Sequence, residues 1–378
     1  MKDIIYLDNS ATTKPCPKAI EYMNKALCEN WGNPSSLHTV GINAEELVYS
    51  AKDACARALG CRSDEVYFTS GGTEANNTAI FGAAHARAKR GNRIVTTQIE
   101  HPSVLEPIKA LEQKGFEVIY LKPNKNGQIS EEDINNAVNK NTVLVSIMLV
   151  NNEIGTVQPI KAAANAIKTS GAPALLHCDA VQGFGKLNIK VNELGVDLLS
   201  FSGHKIHAPK GIGVLYKKKG VTLSPLVFGG GQQDGVRPGT EAVPLISALE
   251  GAIVSLPNTD EQFKRMKLVC DYAKEKLQET GVVSLNSPAD AIPYVLNVSV
   301  PGYRSETLLH FLDAQGIFVS SGSACAKGKL SYTLSALGLD SKRIDSALRI
   351  SFCRDNTKED IDKLCDAILL ATKKLKRA

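Results

Sequence analysis

The sequence lacks most of the features that mark an exported, membrane-spanning or metal-clustered protein. No apolar run approaches the roughly 20 residues needed to cross a bilayer. The start, Met1-Lys-Asp-Ile-Ile-Tyr-Leu-Asp, has no apolar export segment. The nine cysteines are odd in number, which argues against a closed disulfide framework. No C-x-x-C pair occurs and no spacing resembles a zinc-ligand set, so no metal site is expected. Charge of one sign is not concentrated either. The net charge of +5 is spread along the chain, apart from Lys373, Lys374, Lys376 and Arg377. A solvated helix end accounts for that run, with nucleic-acid binding as the alternative. The expectation is a cytoplasmic protein with free thiols, no membrane association and no direct nucleic-acid partner.

What is present is the composition of an ordinary globular chain, 43% hydrophobic and 22% charged. Its 378 residues suit one large domain plus a smaller one. Short apolar or β-branched runs, the strand candidates, fall at Glu65–Thr69, Arg93–Thr97, Glu117–Leu121, Thr142–Val150, Ala174–Cys178, Leu198–Phe201 and Gly213–Tyr216. Amphipathic stretches lie between them, at Thr73–Lys89, Val104–Lys114, Ser130–Val138 and Ile160–Thr169. Apolar strands separated by single helices predict an α/β fold with a mainly parallel sheet covered on both faces. A smaller α+β region follows. It has a charged helix over Asp260–Thr280, a strand over Val295–Val300, a helix over Glu306–Gln315 and a last helix from about Lys358. The expected division is 14–258 for the large domain, with 1–13 and 259–378 forming the small one. In open α/β sheets, ligands sit beyond the carboxyl ends of the strands, so the residues there carry the functional reading.

Lys205 closes the string Ser200-Phe-Ser-Gly-His-Lys directly after such a run. A partly dry setting lets a lysine amine lose its proton and form a Schiff base; a surface-loop lysine is the plainer reading. Asp179 ends the neighbouring run Ala174–Cys178, where a carboxylate can pair with a pyridinium nitrogen or merely cap a helix. Gln182, three residues on, can donate to a ring oxygen. The segment Phe68-Thr-Ser-Gly-Gly-Thr-Glu-Ala-Asn-Asn77 reads as strand, glycine turn and helix start. Gly72 and Thr73 there suit a phosphate at a helix N-terminus, or a plain capped turn. His101 is placed to stack on a flat ring and shuttle protons, or to fill space. Asn152 reaches a ring or a carboxylate, or serves as a turn amide. Cys325, set among Val319-Ser-Ser-Gly-Ser-Ala-Cys-Ala-Lys-Gly328, is a thiol on a small-residue tether, or one more inert cysteine. Arg349 is a candidate clamp for an amino-acid carboxylate.

Taken in this order, Thr73, His101, Asp179, Gln182, Lys205 and Cys325 resemble the NifS/IscS-type cysteine desulfurases. These belong to the class V aminotransferase group of fold-type I pyridoxal-phosphate (PLP) enzymes. The resemblance spans nearly the whole chain, from Tyr6-Leu-Asp-Asn-Ser-Ala-Thr-Thr13 to the final helix. Its most specific pieces are TSGGTEANN (69–77), EHPSV (100–104), VNNEIG (150–155), DAVQ (179–182), SFSGHK (200–205), GGGQ (229–232), RPGT (237–240) and SSGSAC (320–325). The resemblance implies that Lys205 carries PLP, with Asp179 on the pyridine nitrogen, Gln182 on the phenolic oxygen and His101 stacked on the ring. It implies that Thr73, Ser202 and His204 hold the phosphate, with Thr240 contributing across a homodimer interface. Asn152 and Arg349 would receive the carboxylate of L-cysteine. Cys325 would take its sulfur as a persulfide for an acceptor protein, either an iron–sulfur scaffold or a tRNA-thiolation protein. A selenocysteine lyase or another class V aminotransferase is the alternative within enzymes, and a partner-binding protein with a vestigial PLP fold the one outside them.

Overall fold

The computed structural model describes residues 4–321 and 331–377. Its centre is a seven-stranded sheet in the spatial order Val66–Thr69, Gly213–Lys217, Leu198–Ser202, Leu175–Asp179, Thr142–Ser146, Arg93–Thr97 and Glu117–Leu121. Gly213–Lys217 runs antiparallel to both of its neighbours, and every other pairing is parallel. Thr142–Ser146 is buried along its whole length, which is why its centre, Val143-Leu-Val145, reads as an unbroken apolar run rather than an alternating one. The helices Gly72–Arg87, Pro102–Glu112, Glu131–Ala137 and Ile160–Ser170 connect successive strands, as the amphipathic pattern predicts. The strand expected over Thr142–Val150 stops earlier, at Ser146. The chain stays extended for a few residues, with Ile147 N–H donating to His177 O and Leu149 N–H to Asp179 O. It then folds back through a bridge between Val150 and Val157.

Among the described residues, three helices of more than ten residues are absent from the pattern reading. Pro17–Cys28 and Thr39–Leu59 both pack on Val243–Ile253. That last helix is buried at nine of its eleven positions, so it shows no amphipathic period.

The C-terminal region builds a second, antiparallel sheet from Ser284–Leu285, Val295–Ser299 and Ala347–Ser351. The N-terminal strand Ile5–Tyr6 pairs in parallel with Ile317–Phe318, and Asp8 bridges to Ser351. This return of the chain's start to its C-terminal part brings Asp8, Ser10 and Ala11 beside the carboxyl ends of the central strands.

Candidate active site

A cavity of about 380 Å³ opens at the carboxyl ends of the central strands. That falls within the size range of small-molecule sites. It is lined by Gly72, Thr73, His101, Asn152, Asp179, Gln182, Ser202, His204, Lys205 and Arg349, together with Ser10, Ala11, Ser103 and Tyr332. Ten residues singled out in the sequence therefore meet in one place. Thr240 does not line this cavity and is solvent-exposed. Cys325 lies outside the described residues.

Lys205 ends the single helical turn Gly203–Lys205, which follows Leu198–Ser202. Its Nζ donates to Ser10 O at 2.5 Å and to Ala11 O at 2.7 Å. Asp179 is buried at the end of its strand. Its Oδ2 accepts from Asn76 Nδ2 at 2.8 Å and its Oδ1 from Val181 N–H at 2.9 Å. A carboxylate has about four acceptor positions, so this one is fixed in orientation yet keeps capacity for a further donor. Gln182 Nε2 donates to Ser10 O at 2.9 Å, on the same carbonyl that receives Lys205.

His101 is the N-cap of Pro102–Glu112. Its Nδ1 accepts from Ser103 N–H at 3.1 Å, and Pro102 sits where a helix leaves its first N–H unbonded anyway. Burial pushes the His101 imidazole below its ordinary pKa; Asp179 opposes that shift and Lys205 adds to it. His204 is lowered to about 4, through burial and then the charges of Lys205 and Lys210. Both rings are therefore neutral near pH 7. Glu100, which precedes His101 in the chain, is fully buried, and desolvation raises its carboxyl to about 8. Its Oε1 accepts from Thr97 Oγ1 at 2.8 Å and Met148 N–H at 2.9 Å, and its Oε2 has no partner among the described residues.

Close backbone packing shapes the wall near Thr73. A Cβ on Gly213 would lie 2.5–2.8 Å from the backbone of Gly71, so only glycine lets these two segments touch. A Cβ on Gly72 would meet Val181 Cγ2 at 2.9 Å. The first N–H groups of Gly72–Arg87 have no intrahelical acceptor, as at any helix start, and the dipole there favours an anion.

Across the cavity, Arg349 is 6% exposed. Its Nη2 pairs with Asp8 Oδ1 at 2.8 Å and its Nη1 donates to Asn152 O at 3.2 Å. Its Nε has no partner among the described residues.

Sequence reasoning missed Asn76 and Asp8 as parts of the site. Both lie inside recognised strings, TSGGTEANN and YLDNSATT, but each acts by a contact more than a hundred residues away in the chain. No local pattern encodes such a contact.

The profile of the aminotransferase class-V family matches residues 5–364. The chain belongs to that family. Among its class-V relatives, a protein named "NifS/IcsS protein homolog" from Lactobacillus delbrueckii subsp. bulgaricus is 44% identical over 375 residues, covering 96% of each chain. A "Cysteine desulfurase IscS" from Clostridium botulinum is 41% identical over 97% of this chain and 94% of its own. Of solved structures, one described as a NifS-like protein superposes with a TM-score of 0.93 at 36% identity, covering 99% of this chain and all of that one. The apo structure of a cysteine desulfurase from Thermococcus onnurineus gives 0.88 at 26% identity, covering 98% of this chain and 95% of that one.

Proposed function

We infer that this chain is a PLP-dependent cysteine desulfurase, converting L-cysteine to L-alanine and passing the sulfur to Cys325. The observation that carries the reading is the cavity itself. In a class-V family member it gathers a lysine amine, an oriented carboxylate and a helix N-terminus around one small-molecule space.

The residues fit the cofactor on physical grounds. Asp179 has acceptor capacity left after Asn76 and Val181 and suits a pyridinium N–H. Thr73, Ser202 and His204, at the start of Gly72–Arg87 and the end of Leu198–Ser202, suit the phosphate. Neutral His101 suits the ring face, and Lys205 suits covalent attachment. When bound, PLP supplies the electron sink that makes an amino-acid α-proton removable.

The chain's own groups do the rest. Lys205, in its site of backbone carbonyls, accepts the α-proton and returns it. Arg349, braced by Asp8, receives the substrate carboxylate, with Asn152 beside it. The Cys325 thiolate attacks the substrate sulfur. The carbon–sulfur bond breaks, a sulfur–sulfur bond forms, and the electron pair left on carbon takes a proton. One cysteine and one thiol thus give one alanine and one persulfide, with no outside oxidant.

The reading extends to organisation. Trp31, Leu37 and Phe228 are 71%, 96% and 84% exposed, and their segments flank a cleft lined by Pro34, Tyr49, Gln232 and Glu241. Apolar side chains this exposed suit burial against a second copy of the chain, which would bring the partner copy's RPGT segment, ending at Thr240, to the phosphate end. We assign residues 14–258 to the cofactor domain and 1–13 with 259–378 to the smaller one. The eight described cysteines are unpaired, and no described helix is long and apolar enough to cross a membrane. Both facts accord with a reducing cytoplasm. The sulfur is destined for an acceptor protein of iron–sulfur assembly or tRNA thiolation.

The test is alanine formation from L-cysteine without added keto acid, in the parent and in Cys325→Ser. The parent makes alanine and accumulates a persulfide. The variant keeps the visible absorbance of bound cofactor and loses alanine formation. A strict requirement for keto acid would point instead to a transaminase. Undiminished turnover by Cys325→Ser would remove the thiol from the mechanism.

A further inference from the structure

Lys186 is a buried amine to which the scheme above gives no role. It is 7% exposed, four residues beyond Gln182, and it lies behind the cavity rather than in its wall. Burying an ammonium without a counter-charge is expensive, and an aliphatic side chain would fill the same space without that penalty. Among the described residues, Lys186 forms no ion pair with a carboxylate. Its Nζ donates to Gln182 Oε1 at 2.9 Å and lies 5.8 Å from the centre of the Tyr294 ring. The charged and titratable groups around it are Lys205 after the central strand, Arg349 in the second sheet, Cys353 just beyond it, and His207. Burial, followed by the charges of Lys205 and Arg349, lowers its pKa to about 7.

The bond to Gln182 has a consequence fixed by donor chemistry alone. A lysine ammonium offers only donors, so it takes the carbonyl end of the amide, as it does here. The other end, Nε2, is then the only one left for the cavity. It donates to Ser10 O, which Lys205 also contacts at 2.5 Å. Lys186, Gln182, Ser10 and Lys205 thus form one continuous hydrogen-bonded path from behind the site to the reactive amine.

We propose that Lys186 is a positioning residue, locking the Gln182 amide so that its N–H faces the cofactor's phenolic oxygen and stabilises that oxygen as an anion. This rests on the cofactor reading above. A stabilised phenolate holds the proton of the Lys205–cofactor linkage less tightly. Losing Lys186 removes both the lock and a nearby positive charge, and both losses act in the same direction, raising that linkage's pKa.

The experiment is a spectrophotometric pH titration of PLP-loaded parent, Lys186→Met, Gln182→Leu and the double variant, which reads the linkage directly and without turnover. The midpoint is expected to rise by about one unit in Lys186→Met, within the usual reach of a single close charge or hydrogen bond. Gln182→Leu is expected to rise similarly. The double variant is expected to fall well short of the sum, because the two residues act as one unit. Should Lys186→Met not fold, Lys186→Gln takes its place and must show the same upward shift, since its amide presents either end to Gln182. An unchanged midpoint, or fully additive shifts, overturns the proposal. A parent protein that shows no titrating visible band with PLP would sink the cofactor reading instead, so the two failures are distinguishable.

Discussion

Glu100 offers the sharpest physical test of the site, because its environment dictates a pH signature that a simple substitution erases. The carboxyl is fully buried, and Oε1 is satisfied by Thr97 and Met148 while Oε2 has no partner among the described residues. Desolvation lifts its pKa from 4.5 to about 8, with nearby Asp179 adding to the rise. The unfolded chain releases this proton near pH 4.5, whereas the folded protein keeps it until about pH 8. Between those values the folded state holds one more proton than the unfolded. Stability from this group is therefore fully present below about pH 4.5 and is lost as pH rises, at roughly 1.4 kcal/mol per unit. Over the whole window this amounts to an order of 4–5 kcal/mol. Glu100→Gln retains an oxygen for Thr97 and Met148 and cannot ionise. Near pH 5 its melting temperature should lie close to the parent's. By pH 8 it should exceed the parent by several degrees, because a chain of 378 residues shifts by less than the about 2–4 °C per kcal/mol of chains of 150–250 residues. The assay is thermal melting of both proteins, stripped of cofactor to remove linkage to PLP binding, from pH 5 to 8.5. Parallel curves with a constant offset would show that Glu100 ionises normally and that its burial is relieved in solution.

Two further substitutions probe the residues that hold the site. Asp8→Ala leaves the buried Arg349 guanidinium with one carbonyl acceptor, Asn152 O. Its KM for L-cysteine should rise about tenfold or more, the equivalent of about 1.4 kcal/mol, with a much smaller change in kcat. Steady-state kinetics across a range of cysteine concentrations checks this, and an unchanged KM would mean that Arg349 holds no substrate carboxylate. Asn76→Ala frees Asp179 Oδ2 from its 2.8 Å donor. PLP affinity, measured by reconstituting apoprotein, should weaken by a factor of about 10–150, the equivalent of the roughly 1.5–3 kcal/mol of one hydrogen bond to a charged group. Full affinity would mean that Asp179 is oriented by Val181 N–H alone.

The parts of this protein that were legible in the sequence are those where local pattern and function coincide. Parallel strands buried on both faces are short apolar runs, and in such sheets the chemistry follows each run. Lys205, Asp179 and Asn152 could therefore be found by looking at where each run stops. His101 and Gly72–Thr73 were legible for a related reason: each begins a helix, and helix starts carry recognisable caps and glycine turns. The boundary error at Thr142–Val150 shows the limit of that logic. Apolar character persists through Val150 because the segment stays buried beside Leu175–Asp179, although ladder pairing has ended. The helix Val243–Ile253 was invisible for the opposite reason, being enclosed on nearly every side. What no local pattern supplies is the support behind the site. Asp8 reaches Arg349, and Asn76 reaches Asp179, only because the fold returns distant segments to one place. Lys186 is the instructive case between these extremes. It sits four residues from Gln182 and within easy sight of the DAVQ string, yet an isolated lysine reads as a surface charge. Only its burial, with one amide oxygen as hydrogen-bond partner, turns it into a residue whose job is to orient another.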